Sequence, residues 1–281
     1  MDESIRKQLA RFRNHDDGDT ATKYRISKPH KTQQRKSVVP TKKVKKQYEL
    51  NSDLKDLQPS LDKNLVVVFI GFNPGIQSSI QQHHYAHHSN LFWKLFNQSK
   101  ILPCVLERLM LPFDDYSQWI RSDGSSAVKA SDDFELVKCK IGFTDLVLRC
   151  TKEALELSFD EKMANVPRLI LEFSLTNVEN IVVVGKGIWE IVVKYLSKSM
   201  GIKFKLTKSN FDWGLQSQNA NDSTHKDPSY TQLLRTLLKL VGHKFQIFVF
   251  PNTSGLVTTM KFDEKLQLWL QLGEKIKLSI N

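Results

Sequence analysis

The chain has 281 residues, 40% of them hydrophobic, and a formal net charge of +11 at pH 7. This length predicts one domain of about 200–220 residues plus a tail, and no apolar run approaches the ~20 residues of a membrane span. The first residues lack the apolar stretch of a secretory signal. The three cysteines are too widely spaced for a disulfide framework or a CxxC metal pair, which indicates a reducing compartment.

The first 60 residues differ in composition from the rest of the chain. Residues 1–60 hold 15 Lys/Arg and 8 Asp/Glu, few aromatic residues and no sustained apolar period. This composition predicts a basic, disordered N-terminal tail over residues 1–60 and a folded domain over residues 61–281. The tail is interpreted either as a solubilising extension or as a phosphate-binding segment that acts by counterion release. The lysine-rich run at 41–46 also fits a nuclear localisation signal, so the expected location is the nucleus.

The first predicted strand covers residues 65–70, six apolar residues rich in β-branched types. This composition is typical of a strand that is buried on both faces of a parallel sheet. Glycine and proline within 71–75 end the strand, and a histidine-rich loop leads to a helix at 91–96 with Ser89 or Asn90 as its N-cap. In open α/β sheets, ligands bind where such strands end, so the loop after this strand is a candidate site.

The rest of the chain alternates between helical and strand patterns. Helices are predicted from apolar spacing and helix-start signals at residues 103–110, 158–174, 188–199, 230–241 and 262–272. Further strands are predicted at 181–184 and 246–250, with an edge strand or hairpin at 204–215. Residues 114–133 and 216–229 are polar, and the second half of 114–133 is interpreted as a flexible insertion. Strands that alternate with helices predict an α/β fold with three layers, α/β/α, around a short, mostly parallel central sheet.

Two predicted strands end in short motifs, Gly71-Phe72-Asn73-Pro74-Gly75 and Pro251-Asn252-Thr253-Ser254-Gly255-Leu256. Each motif alone is typical of an ordinary turn, because turns use glycine, proline and asparagine. In combination with other segments they resemble the mismatch-specific uracil/thymine DNA glycosylase family, within the uracil-DNA glycosylase superfamily. The matching segments lie in the same order over about residues 64–275: GFNPG (71–75), HHY (83–85), NLFWK (90–94), GFTDLV and RCT (142–151), VGKGIWEI (184–191), FDWGLQ (211–216) and TSGL (253–256).

The resemblance implies a uracil-DNA glycosylase-like fold and a catalytic role for Asn73. The corresponding asparagine of the family orients the water that attacks the sugar. Because an amide cannot take a proton as a carboxylate would, turnover is expected to be slow and to depend on how well the base leaves. The alternative for Asn73 is a turn residue that caps its own loop.

The resemblance also implies a loop that enters the DNA when a base is extruded. Leu256 is the expected wedge between base steps, and Gly255 lets the loop come close. Thr253 and Ser254 belong to the same loop. The alternative for Leu256 is an ordinary loop or core leucine.

The expected base pocket draws on several segments of the chain. Loop amides from 72 to 78 are expected to donate to the base oxygens, Tyr85 to stack on the base, and His84 and Thr151 to surround the water and the base. The full expected set is Phe72, Gly75, Ser78, His84, Tyr85, Asp145 and Thr151. The four histidines of 83–88 suggest a metal site as an alternative. No carboxylate or cysteine lies close in sequence to complete a shell, and no metal or cofactor is expected.

The sequence departs from the family pattern at several positions. Asp145 stands where vertebrate members have asparagine, and an ionised aspartate only accepts hydrogen bonds, so bases with an amino or etheno group become candidate substrates. The alternative for Asp145 is a helix N-cap without base contact. Ser78 replaces an alanine near the pyrimidine 5-position, His87 and His88 replace a Gly-Pro pair, and no arginine lies close after Leu256.

The ordered set of motifs and the family that it resembles predict a monofunctional DNA glycosylase. Such an enzyme flips and hydrolytically excises uracil from mismatches with guanine in double-stranded DNA, and so initiates base excision repair. Thymine and modified pyrimidines are further candidate bases. The expected partner is duplex DNA with a mismatched or damaged base, without a membrane, and the protein is expected to be a monomer. The alternative is a non-catalytic nucleic-acid-binding module on the same fold. A nucleotide-binding enzyme is disfavoured, because the sequence has neither GxGxxG nor GxxxxGK[ST].

Overall fold

The structure is a computed structural model, and it describes residues 54–216, 227–255 and 260–278. The predicted tail up to residue 53, most of the predicted loop at 216–229 and the predicted wedge residue Leu256 lie outside these ranges. Within them, packing against the sheet begins before residue 61. Leu57 is buried, and Ser60 exchanges two backbone hydrogen bonds of 2.8 Å (N to O) with Phe143.

A five-stranded sheet forms the centre of the described part of the chain. Its strands are β1 (Val67–Gly71), β2 (Ile141–Asp145), β3 (Asn180–Val184), β4 (Gly214–Leu215) and β5 (Gln246–Phe250), in the spatial order β2-β1-β3-β5-β4. The four longer strands are parallel, and β4 pairs antiparallel with β5 at one edge. The prediction of a mostly parallel sheet is confirmed. Of the predicted edge strand at 204–215, only the last two residues form a strand.

Helices cover both faces of the sheet. They are α1 (Ile76–Gln81), α2 (Phe92–Gln98), α3 (Ile101–Arg108), α4 (Phe159–Thr176), α5 (Lys186–Met200), α6 (Pro228–Val241) and α7 (Phe262–Leu278). Along β1, Val68 and Ile70 pack in the apolar cluster of α4, α5 and α6, whereas Val67 and Phe69 pack in that of α2, α3 and α7. This alternation places one apolar layer on each face of the strand, so the predicted three-layer α/β/α architecture is confirmed. In the described ranges, none of the helices combines the length and apolarity needed to cross a membrane.

The helix ends follow local capping chemistry. The hydroxyl of Ser158 accepts a hydrogen bond from the backbone N of Glu161 at 3.0 Å, so α4 begins where the sequence predicts. At α2, the predicted cap Asn90 accepts from the backbone N of Phe92 at 3.0 Å, although Leu91 is the residue that precedes the helix. The last helix extends six residues beyond its predicted end, to Leu278.

The second half of 114–133, predicted as a flexible insertion, has defined local structure. An antiparallel bridge pairs Ile120 with Ser126, and a short 3-10 turn covers Ala130–Asp132. Ser126 is buried and its hydroxyl donates to the Asn97 side chain at 2.8 Å, while Asp133 is fully buried. The physical reason is that polar residues here bond to partners far along the chain, which composition does not reveal.

Candidate active site

A cavity of about 870 Å³ lies at the carboxyl edge of the sheet. The loops after β1, β2 and β5 line it, because these parallel strands end at the same edge. The predicted site residues that line the cavity are Phe72, Asn73, Gly75, Ser78, Tyr85, Asp145, Thr151, Thr253, Ser254 and Gly255. His84 does not line it, and Leu256 lies outside the described residues.

The loops after β1 and β2 are joined by backbone hydrogen bonds. Leu146 N donates to Gly71 O at 2.9 Å and Val147 N donates to Phe72 O at 3.1 Å, so the ladder between the two strands continues past their ends. Thr151 N then donates to the carbonyl of Pro74 at 3.1 Å. These bonds fix the backbone on both sides of Asn73.

The side chain of Asn73 is held in one orientation by its amide nitrogen. Nδ2 donates to Thr151 Oγ1 at 2.7 Å and to the carbonyls of Arg149 and Pro74 at 3.2 Å each. The Thr151 hydroxyl itself donates to the Glu153 carbonyl at 2.9 Å, so it must accept from Asn73. Among the described residues, no group donates to Asn73 Oδ1. This oxygen is therefore left to accept a hydrogen bond from a water molecule in the cavity.

Tyr85 forms one wall of the cavity and is backed by Phe92. The two rings are parallel within 2°, with centroids 3.8 Å apart, so Phe92 covers one face of the tyrosine. Tyr85 has a φ of 53°, and its hydroxyl is buried without a hydrogen-bond partner in the described part of the chain. A ring backed in this way offers its other face as a stacking platform.

Asp145, the last residue of β2, lies beside Tyr85. A Cβ on Gly71 would lie 2.1 Å from Asp145 Oδ1 and 3.2 Å from the Tyr85 hydroxyl, so only glycine leaves room for both oxygens. The position of Asp145 at a strand end on the cavity wall excludes the alternative of a helix N-cap. Burial raises the pKa of Asp145 to about 6, although positive charge on His84 and Arg168 opposes this effect.

The raised pKa of Asp145 predicts a pH-dependent stability. The stabilising contribution of its neutral form is fully present below the unfolded pKa of 3.8 and is lost as the pH rises through about 6. Relative to wild type, Asp145→Asn should therefore become more stable by about 1.4 kcal/mol between about pH 5 and pH 8. Urea unfolding of both proteins across this range measures the difference. A constant difference would show that Asp145 does not titrate there.

His84 lies behind the cavity wall and is held by Asp133. Its backbone N and ring Nδ1 each donate to Asp133 Oδ2 at 2.7 Å, and the Nδ1 of His83 donates to the other carboxylate oxygen at 2.8 Å. Burial alone would raise the pKa of Asp133, but these hydrogen bonds from the histidines lower it below its usual value. The ring of His84 stacks on Phe143, and its Nε2 is buried without a partner in the described residues.

The remaining loop positions are also tied to the structure. Ser78 is buried, and its hydroxyl accepts from Ala86 N at 3.3 Å. His87 and His88 stack on each other and are exposed, and His87 Nδ1 lies 2.9 Å from the Ser89 hydroxyl. No three His, Cys, Asp or Glu side chains within the described ranges are grouped so that they could hold a metal ion.

The loop after β5 is anchored beside the cavity. Leu91 N donates to the carbonyl of Thr253 at 2.8 Å, and Lys265 Nζ donates to the carbonyl of Asn252 at 2.8 Å. A Cβ on Gly255 would lie 2.6 Å from the Ser89 carbonyl, so glycine permits the close approach of the two loops. Thr253 is buried, Ser254 is partly exposed and Gly255 is exposed.

Sequence reasoning missed two residues that organise the site. Asp133 holds both histidines of the HHY segment, and Lys265, only 1% exposed, holds the loop after β5. Burial lowers the pKa of Lys265. Neither residue carries a sequence signal, because aspartate and lysine are usually surface residues.

Comparison with known proteins gives a family match and a similar protein. Residues 58–273 match the family described as the Uracil DNA glycosylase superfamily. The chain is also similar to a G/U mismatch-specific uracil DNA glycosylase of Schizosaccharomyces pombe, with 25% identity over 244 residues. That match covers 86% of this chain and 60% of the relative, so the chain spans less than two thirds of the relative's length. Since the family match extends over most of the chain, the protein belongs to the uracil DNA glycosylase superfamily.

Proposed function

We propose that this protein is a monofunctional DNA glycosylase that excises uracil from mismatches with guanine in duplex DNA and so initiates base excision repair. The observation that carries the proposal is the fixed amide of Asn73, whose Oδ1 is left to bind water in a cavity at the carboxyl edge of the sheet. The family membership and the similarity to the yeast enzyme support the same reaction.

The geometry suits a base that is rotated out of the helix. The cavity of about 870 Å³ falls within the range of roughly 300–1,000 Å³ typical of small-ligand sites. The open face of Tyr85 offers a stacking surface for the base, and the loop at 251–255 lies at the rim, where DNA would approach. Extrusion costs a few kcal/mol, and least for a mismatched base, which favours G·U over G·C and A·U.

Hydrolysis then requires a water molecule at the sugar. The Asn73 oxygen accepts a hydrogen bond from this water and orients it, but it does not take a proton. The reaction therefore depends on departure of the base, and amides at 76–78 in the first turn of α1 are available to stabilise its developing negative charge. The basic run at 41–46 supports a nuclear location for this activity.

Base release from a labelled duplex tests the proposal. A duplex with a single G·U pair is incubated with excess protein and treated with alkali, which cleaves at an abasic site. We expect cleavage at the uracil and none in the matched G·C duplex. Asn73→Ala protein, purified in parallel, excludes a contaminating host glycosylase and should give almost no product.

Two outcomes contradict the proposal. Equal product with wild-type and Asn73→Ala protein would assign the activity elsewhere. Tight, salt-dependent duplex binding without base release would identify a non-catalytic nucleic-acid-binding module instead.

A further inference from the structure

We propose that residues 203–206 form a docking edge for a partner protein, which adds an extended segment of alternating acidic and apolar residues beside them. Such docking goes beyond base excision and does not depend on it. The sequence predicts an edge strand over 204–215, yet within the described ranges residues 203–206 belong to no strand of the sheet. A segment with the pattern of a strand and no strand partner is open to pairing with another chain.

The docking edge has two different faces. Phe204 and Leu206 are buried and pack in the apolar cluster of α4, α5 and α6, whereas Lys203 and Lys205 are exposed. This alternation is the period of an extended chain, in which successive side chains point to opposite sides. The docking edge therefore carries lysines on its outer face and apolar side chains on its inner face.

One side of its backbone is unpaired. Among the residues that the structure describes, no group bonds to the carbonyl of Phe204 or to the backbone N of Leu206. The other side is covered, because Asn210 Nδ2 donates to the carbonyl of Lys205 at 3.1 Å. Unpaired N–H and C=O groups on an exposed extended segment are the groups to which an added peptide strand bonds.

An apolar groove lies beside the docking edge. Its volume is about 420 Å³, within the range of roughly 300–1,000 Å³ typical of ligand sites. Besides the docking edge, Ile191 and Val193 of α5 and Phe159 at the start of α4 line it. Phe159 is a large apolar residue that is 50% exposed here. The groove therefore offers apolar surface to the side chains of a bound peptide.

The rim of the groove is basic. Lys194, Lys203 and Lys205 are exposed and form no ion pair within the described part of the chain. Glu190 also lines the groove, but its carboxylate lies 3.6 Å from Lys186 Nζ, so its charge is already paired. Opposite charges on neighbouring extended chains stabilise their pairing. Acidic residues of the partner therefore complement this rim.

The unpaired backbone groups fix the register of the partner segment. In a parallel pair of strands, a residue donates to the carbonyl before its opposite number and accepts from the N–H after it. A partner residue opposite Lys205 thus bonds to Phe204 O and Leu206 N together. Its side chain lies on the outer face beside Lys205, and those of its two neighbours lie on the inner face. An acidic residue between two apolar residues suits both faces.

Two other occupants fit this surface less well. The N-terminal segment of the chain has the same sign of charge as the rim, since residues 1–60 hold 15 Lys/Arg and 8 Asp/Glu. Duplex DNA matches the lysines through its phosphates. It has no apolar side chains for the groove and no peptide backbone for the docking edge. The combined features therefore favour an acidic peptide.

Fluorescence anisotropy of full-length protein with the labelled peptide DVDFDVD tests the docking edge. The control peptide DDVFVDD has the same composition and charge but lacks the alternation. We expect saturable binding of DVDFDVD and binding of DDVFVDD that is weaker by about tenfold or more, since the control cannot place its acidic and apolar residues on opposite faces.

N-methylated forms of DVDFDVD test the pairing of the backbone without any change in the protein. Methylation of the third and fifth residues, both aspartates, removes the N–H groups that are aligned with Phe204 O. Affinity should fall by about tenfold, the effect of losing about one hydrogen bond. Methylation of the two valines should change affinity little, because their N–H groups point away from the docking edge.

Charge reversal tests the basic rim. Lys194→Glu/Lys205→Glu should weaken binding of DVDFDVD by about tenfold at low salt, because two attractive contacts become repulsive. Lys239→Glu/Lys244→Glu makes the same change in net charge at exposed lysines outside the groove, and it should leave affinity within about twofold. Circular dichroism confirms that both variants are folded. Both should keep the wild-type affinity for the G·U duplex.

Several outcomes would overturn the docking edge. They are no saturable binding of DVDFDVD to wild type, equal affinity for DVDFDVD and DDVFVDD, and full affinity after methylation of the aspartates. An equal loss of peptide and duplex affinity in Lys194→Glu/Lys205→Glu protein would also overturn it and assign these lysines to DNA. Since the peptide assay contains no DNA, its result is separate from whether the protein releases uracil.

Discussion

Asn73→Ala should slow the single-turnover release of uracil by about a hundredfold or more, since misplacing a reacting group by about 1 Å has an effect of that size. The variant removes the amide oxygen of Asn73, a cavity-lining residue whose side chain is oriented by the three acceptors around Nδ2. Binding of the G·U duplex, measured by fluorescence anisotropy, should change little, because the role proposed for Asn73 is to orient the attacking water and not to hold the phosphates.

An asparagine outside the cavity provides the matched control. Asn210 bonds to Thr207 and Lys205 in an exposed segment, and Asn210→Ala should keep the wild-type rate within about twofold.

Asn73→Asp gives a sharper test of how the Asn73 side chain is oriented. Its carboxylate would place an oxygen against the carbonyls of Pro74 and Arg149, which now accept from Nδ2, so this variant should also lose activity. A faster Asn73→Asp enzyme would contradict the orientation described for Asn73.

Asp133→Ala should lower the free energy of unfolding by about 3–5 kcal/mol, the range for breaking a buried, hydrogen-bonded charged group. The carboxylate of Asp133 accepts from both histidine rings of the HHY segment and from the backbone N of His84 and Phe134, at 2.7–2.8 Å. Its removal leaves the two His84 donors buried without an acceptor, and the partly exposed His83 ring and Phe134 N also lose theirs. Urea unfolding followed by circular dichroism measures the loss.

The neighbouring Asp132 is the control for Asp133. Asp132 is partly exposed and its carboxylate accepts from the backbone N of Lys129, so Asp132→Ala should cost about 1 kcal/mol, as for the loss of a helix cap. An equal cost for the two substitutions would show that the bonds of Asp133 to the histidines add nothing to stability. Asp133→Asn should fall between them, because the amide keeps one acceptor oxygen.

The sequence predicts those parts of the fold that depend on local pattern. The β-branched runs at β1, β3 and β5 were sufficient to place these strands, because a buried parallel strand is apolar on both faces. The start of α4 was likewise visible in Ser158 and the acidic residues that follow it. The cavity-lining residues were predicted from motifs, since strand ends that meet at one sheet edge bring distant motifs together.

Other features depend on contacts that no local pattern encodes. Asp133 lies 49 residues from His84 in the chain, and Lys265 reaches the carbonyl of a loop 13 residues away. Both read as surface residues in the sequence. The sequence also did not show that Tyr85 lines the cavity whereas the adjacent His84 does not. The direction of the His84 ring follows from its bond to Asp133 and not from the HHY segment.

The ladder that continues beyond β1 and β2 has a consequence for the proposed encounter with DNA. Leu146 N remains bonded to the carbonyl of Gly71, the last residue of β1, and Val147 N to the carbonyl of Phe72, the first residue of the loop. The start of this loop therefore has little freedom to reshape itself around an incoming nucleotide. Under the proposed function, discrimination between nucleobases would then arise from the fit to a preformed site, and the larger conformational changes on binding would occur in the DNA. Hydrogen exchange at these two amides should accordingly be slow in the free protein and unchanged by the duplex.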